Sequence, residues 1–361
     1  MPWQRTDPVM ERMKFIVAVN EAPSGETFAE TCRRFGISRP TGYKWLARYE
    51  AGGPAALGDR PPLAYHHPLA VDVAVEDLVV AARKVHPRWG PRKLKALLER
   101  EHPGRALPAA STMGEILDRR GMVTPRNRRR RYPPSGVGQS IYDHPNAVWC
   151  MDHKGDFPML GGGRCGPFTL MDGDSRYLLR CEAVRSTGEA ETRPHLESAM
   201  REFGVPEALR SDGGSPFASA QSPGRLTKLA VWLIKLGIEL HRNWPGHPEQ
   251  NPRLERYHGT MVTEVVQDGP YTWEELRRRL DAHRREYNQV RPHEALGQRT
   301  PASAYQPSPR ALPSEVGSPE YAHDHCVRRT DSAGRVNWRG HLFNVGSAIS
   351  CEPVYFQDVG E

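Results

Sequence analysis

From about Ala147 the chain changes its apolar period, and that change does most to limit the folds open to it. Val148 to Phe157, Pro167 to Asp172 and Tyr177 to Val184 read as three strands separated by glycine-rich turns. Glu189 to Phe203 reads as a helix ended by Gly204. Ala208 to Ser211 is a short strand, Leu226 to Leu236 an apolar helix, and Ile238 to His241 another strand. A long helix starts near Asn251. Successive strands followed by alternating helix and strand predict a mixed sheet flanked by helices.

Ahead of that region the spacing is helical. Phe28 to Phe35, then Gly36-Ile37-Ser38, read as a helix, a turn and a cap for the next helix, with Pro40 tolerated in its first turn. In that second helix Trp45, Leu46 and Tyr49 share one face, while Thr41, Lys44 and Arg48 share another. An apolar back and a basic, hydroxylated front suit a recognition helix in a DNA major groove. An ordinary helical hairpin with a solvated basic face fits the same spacing equally well. A second helical region runs from about Val71 to Val123, with Trp89-Gly90-Pro91-Arg92-Lys93-Leu94 leading into one helix and Ser111-Thr112-Met113 starting another. Arg126 to Arg131 then form a basic linker. After about Pro319 a hairpin is expected, pairing Val327–Thr330 with Val336–Trp338 across Ser332-Ala333-Gly334.

A net charge of +7 favours an anionic partner, and nucleic acid is the commonest. The six cysteines form no CxxC pair, so neither a zinc finger nor a disulfide framework is indicated; buried thiols are expected. With no long apolar run and no leader-like start, the chain is expected to be soluble and cytoplasmic, with no membrane partner.

Three acids stand apart from the surface charge. Asp152 follows the apolar Val148 to Met151, and Asp212 ends a strand and precedes Gly213-Gly214. Glu255 lies early in the last long helix of this region, beside the stripe Leu254, Met261 and Val265. Desolvating a carboxylate costs several kcal/mol unless it gains a partner or a cation. Converging carboxylates would suit Mg²⁺ or Mn²⁺, two of which stabilise attacking and leaving oxygens in phosphoryl transfer. Single acids of this kind also cap helices or pair with arginines, and spacing alone leaves both readings open.

Residues 147–260 resemble the integrase core shared by retroviral integrases and bacterial insertion-sequence transposases of the DDE class. The resemblance is carried by Ala147 to Gly155, Thr169-Leu170-Met171-Asp172, Ser211-Asp212-Gly213-Gly214-Ser215-Pro216-Phe217, and Gly246 to Arg256. Tyr287-Asn288-Gln289-Val290-Arg291-Pro292-His293 resembles the segment after such cores, and Gly36 to Trp45 and Trp89 to Leu94 resemble the helix-turn-helix units before them. It implies an α/β multidomain chain: a helix-turn-helix domain over 1–60, a second such domain over 70–125, a basic linker over 126–145, an RNase H-like catalytic core over 146–306, and a small β-barrel-like domain over 319–361, cut short at Glu361. It implies a transposase that cleaves transposon ends and transfers strands, with Asp152, Asp212 and Glu255 holding two Mg²⁺ or Mn²⁺ ions. Arg39, Thr41, Lys44, Arg48, Arg92 and Lys93 are the implied contacts to double-stranded DNA, on which the protein is implied to act as a homo-oligomer at the nucleoid. Gly213, Glu249 and Pro252 depart from the family's usual Asn, Gln and Gly. A decayed or repurposed transposase that only binds DNA is the alternative.

Overall fold

The computed structural model describes residues 7–23, 25–59, 70–124, 142–212, 214, 216, 223–243, 251–321 and 326–356. Residues 126–141 of the basic linker, Gly213 and Glu249 lie outside them. The chain divides into two compact units, Met1–Ala70 and Val71–Glu361.

In the first unit, α1 (Pro8–Asn20), α2 (Phe28–Arg34) and α3 (Arg39–Gly52) enclose Phe15, Ile16, Cys32, Trp45 and Leu57. Each start is written locally. Asp7 Oδ1 accepts from the Val9 amide, Thr27 and Glu30 form a capping box, and Ser38 accepts from the Thr41 amide with Pro40 in the first turn. Gly42 lets α3 close on its neighbours: a Cβ there would sit 2.7 Å from Cys32 Sγ and 3.0 Å from the Phe28 ring. The spacing therefore yields the helix–turn–helix it predicts.

The second unit opens with α4 (Val73–Val85), α5 (Pro91–Glu101) and α6 (Ala110–Arg119), packed around Val79, Trp89, Leu94, Met113 and Ile116. The sheet strands and their helices follow: β1 (Val148–His153), the short pair β2 (Phe157–Pro158) and β3 (Arg164–Cys165), β4 (Phe168–Asp172), β5 (Leu178–Glu182), α7 (Glu189–Phe203), β6 (Ala208–Ser211), α8 (Lys228–Lys235), β7 (Glu239–Arg242), α9 (Pro252–Met261), α10 (Trp273–Gln289) and α11 (Pro301–Ala304). The main sheet has the order β5-β4-β1-β6-β7. β4 is antiparallel to β1 and β5, while β6 runs parallel to β1 and β7.

Strand alternation sorts the core onto two faces. Trp149, Met151, Phe168 and Leu170 meet Leu196, Met200 and Phe203 of α7 and Leu229 and Leu233 of α8. Cys150, Met171, Leu178 and Cys181 meet Leu254, Tyr257 and Met261 of α9 and Leu276, Leu280 and Tyr287 of α10. Covered on both sides, β1 reads as a continuous apolar run rather than an alternating one.

Four strands complete the described chain: β8 (Cys326–Arg329), β9 (Arg335–Trp338), β10 (His341–Asn344) and β11 (Pro353–Phe356). The expected hairpin does not form. β8 pairs with β11 and β9 with β10, each antiparallel. The turn itself is present, because Asp331 Oδ1 accepts from the amides of Ala333 and Arg335. Beyond that turn the two strands part, and each takes a partner from later in the chain. Cysteine burial also differs from expectation: Cys32, Cys150, Cys165 and Cys181 are buried free thiols, Cys326 is half-buried and Cys351 exposed.

Candidate active site

The parity of β1 decides where Asp152 goes. Cys150 packs on the α9 side of the sheet, so Asp152, two residues on, faces the same way. The parallel register pairs Val148 with Ala208 and Cys150 with Arg210, and two residues further along it come Asp152 and Asp212. α9 begins with Asn251 at the N-cap and Pro252 in the first turn, though the Asn251 side chain makes no capping hydrogen bond. Leu254 and Met261 are fully buried, which sets the rotation of the helix and holds Glu255 at the edge of the packed stripe.

Asp152 and Glu255 are brought together, and a residue outside the sequence expectation joins them. One ligand atom from each of Asp152, Glu255 and His258 lies within 4.8 Å of the others. Asp152 Oδ1 accepts from the His153 amide at 2.8 Å, and Oδ2 lies 3.7 Å from His258 Nδ1. Lys154 Nζ reaches Glu255 Oε2 at 3.3 Å. Asp212 is not in that cluster. Its side chain is exposed at the end of β6, where Oδ1 accepts from the Gly214 amide at 3.4 Å.

The electrostatics match this crowding. Burial, then the charge of Asp212 and then that of Glu255 push the Asp152 carboxyl up to about 6, against the pull of the His153 amide and Lys154. His258 is fully buried, and desolvation with the nearby Lys154 charge lowers its pKa to about 3. It is a neutral imidazole at physiological pH. The signal for His258 was present in the sequence, three residues after Glu255 and so on the same side of the helix. Asp172, by contrast, is a structural acid: its carboxylate accepts from the amides of Asn146 and Ser175 and holds the turn after β4.

The expected DNA contacts divide into two groups. Arg39 and Lys44 are exposed on α3, Thr41 and Arg48 half-exposed, and the Lys44 and Arg48 cations lie 5.1 and 4.9 Å from the Trp45 ring. On α5, Arg92 pairs with Glu294 at 2.8 Å. Lys93 is half-buried, and burial together with the Arg291 charge lowers its pKa to about 8. Both are engaged with the segment after α10.

An antiparallel run of three strands extended by two parallel ones, with acids at the ends of the first and fourth and on a covering helix, defines an RNase H-like integrase core. Family models described as integrase core domain match residues 143–248 and 236–301; a helix-turn-helix domain matches 16–63 and a homeodomain-like domain 41–117. In these matches the chain is similar to integrase-core proteins of bacterial insertion elements. It is 28% identical over 284 residues to the insertion element IS476 uncharacterized 39.2 kDa protein of Xanthomonas euvesicatoria, covering 77% of this chain and 78% of that protein. It is also 28% identical over 236 residues to the insertion element IS407 uncharacterized 31.7 kDa protein of Burkholderia multivorans, covering 63% and 80%. Among solved structures, the HTLV-2 integrase catalytic core domain in complex with magnesium is 15% identical with a TM-score of 0.35, covering 45% of this chain and 99% of that one. A simian T-cell lymphotropic virus intasome chain is 16% identical with a TM-score of 0.40, covering 74% and 85%. Both are too distant to bear on function.

Proposed function

We propose that the protein is a DNA transposase that cleaves at the ends of its own element and joins the freed 3′-OH to target DNA. The observation that carries this reading is the meeting of Asp152 and Glu255 at the end of β1, beside Asp212, in a chain with helix-turn-helix units. The charges of Asp212 and Glu255 help raise the Asp152 carboxyl, a crowding that a cation relieves, and the buried Nδ1 of His258, which has no hydrogen-bond partner among the described residues, faces the same space. Those residues fit a divalent metal centre, with Asp152, Asp212 and Glu255 as its oxygen donors. When bound, a pair of Mg²⁺ or Mn²⁺ ions supplies charge stabilisation to the attacking and leaving oxygens of phosphoryl transfer.

The chain's own residues supply position. The His153 amide orients Asp152, and burial of Leu254 and Met261 holds Glu255. Lys154 carries a positive charge beside Glu255, able to contact a scissile phosphate once Glu255 turns away from it. Exposed Arg39 and Lys44, with Thr41 and Arg48, present α3 to a major groove and its phosphates. In this reading the protein works as a homo-oligomer on DNA, in the cytoplasm at the nucleoid.

The test is incubation of the full chain with a duplex carrying its element's ends and Mg²⁺ or Mn²⁺. Metal-dependent nicking at the end, followed by joined products, is the expected result. Specific end binding without nicking under any divalent ion would replace this reading with that of a DNA-binding protein without catalysis.

A further inference from the structure

The hydrogen bonds around His258 fix its tautomer. Its Nε2 lies 2.8 Å from the Thr169 hydroxyl oxygen, and that hydroxyl lies 2.9 Å from the Asp152 carbonyl oxygen. A carbonyl only accepts, so the hydroxyl proton goes to it, and His258 Nε2 has to be the donor to Thr169. Nδ1 therefore carries a lone pair. It is buried, has no hydrogen-bond partner among the described residues, and points toward Asp152 Oδ2 at 3.7 Å. A buried, unpaired lone pair facing a half-buried carboxylate oxygen is unfavourable unless something positive sits between them.

We infer that His258 Nδ1 is a nitrogen ligand of the divalent ion held by Asp152 and Glu255, giving this centre a mixed nitrogen and oxygen donor set that favours Mn²⁺ over Mg²⁺. This rests on the metal-dependent reading above and adds a ligand to it. Two donors bound to one ion at ~2.1 Å stand no more than ~4.2 Å apart, and the 3.7 Å between Nδ1 and Oδ2 falls inside that limit. Glu255, now drawn to Lys154, has only to swing within the 4.8 Å group to complete the set. The Nε2 donation to Thr169 is the outer hydrogen bond that orients a ligating imidazole, and Thr169 ties it to the backbone of Asp152 itself. Imidazole nitrogen raises affinity for transition metals more than for Mg²⁺, which prefers oxygen.

The test is titration of the full chain with Mn²⁺ alone, followed by electron paramagnetic resonance. Loss of the free-ion signal reports binding, and electron spin-echo modulation reports nitrogen on the ion. Wild type should show ¹⁴N coupling that changes to ¹⁵N when the histidines are ¹⁵N-labelled, a measurement that needs no variant. In His258→Gln the amide can replace Nε2 at Thr169 but puts no donor at the Nδ1 position. That variant should melt like wild type, lose the coupling, bind Mn²⁺ at least ~10-fold more weakly, and lose less affinity for Mg²⁺. Mn²⁺ bound without histidine coupling, or coupling that persists in His258→Gln, overturns the inference and leaves the carboxylate site standing. No Mn²⁺ binding at all overturns both.

Discussion

Asp152→Asn should stabilise the metal-free protein while removing its activity. The wild-type carboxyl is three-quarters buried and raised from its ordinary 3.8 to about 6, chiefly by burial and by the charge of Asp212. Its folded pKa lies above its unfolded one. The protonated form is therefore favoured in the fold, and the stability this gives is complete below pH ~4 and lost as pH rises through ~6. Above that the ionised group carries a constant penalty. The rise from 3.8 to about 6, at ~1.4 kcal/mol per tenfold change in proton affinity, puts it on the order of 2–3 kcal/mol. Asparagine keeps the oxygen that accepts from the His153 amide and removes the charge. Urea unfolding in EDTA should therefore show the variant more stable by about 2 kcal/mol at pH 7.5, shrinking to ~0.5 kcal/mol at pH 4. Added Mn²⁺ at about 100 times its Kd should stabilise wild type by ~2.7 kcal/mol and the variant little, closing the gap. A variant less stable than wild type at pH 7.5, or a gap indifferent to pH, would refute the claim that Asp152 is held at an electrostatic cost.

Two other outcomes follow from the same structure. Lys44→Ala should weaken binding to end DNA and lower the slope of log K against log salt by about one, because each phosphate contact releases counterions; gel-shift titrations at several salt concentrations read this directly, and an unchanged slope would remove α3 from the interface. His293 is lowered to about 3, first by burial and then by Lys93 and Arg291, so its stabilising neutral form is complete above pH ~6.5 and lost as pH falls toward 3. His293→Gln should flatten acid unfolding between pH 6 and 4 as followed by circular dichroism, and an unaltered acid transition would show that His293 takes no part in it.

Much of this was legible in the residues because the signals were local. Glu189–Phe203 and Ala208–Ser211 begin and end where their glycines and apolar period put them. The mixed sheet followed from three strands in succession, and the buried stripe of Leu254, Met261 and Val265 holds. What escaped was set at long range. β8 and β9 are strands as read, yet β9 pairs with β10 just after it and β8 with β11 further along the chain. α9 runs into a π turn over Val262–Val266, which no apolar period distinguishes from α-helix. Arg92 and Lys93 look like free basic residues until Glu294 and Arg291 are brought beside them. His258 looked like one more polar residue on a helix; only the pairing of Asp152 with Thr169 across the sheet reveals which way its lone pair faces.

The central claim is that Glu255, and not Glu249 six residues before it, completes the carboxylate set. Glu255 sits one turn into α9, placed by the packing of its neighbours, as metal-dependent chemistry requires. The measurement is cleavage of end-containing duplex by wild type, Glu255→Gln and Glu249→Gln side by side, with gel shifts to show that each still binds. Glu255→Gln should bind and not cleave, since it keeps the shape and loses the charge, while Glu249→Gln should cleave as well as wild type. Cleavage by Glu255→Gln together with an inactive, DNA-binding Glu249→Gln would contradict the account at its centre.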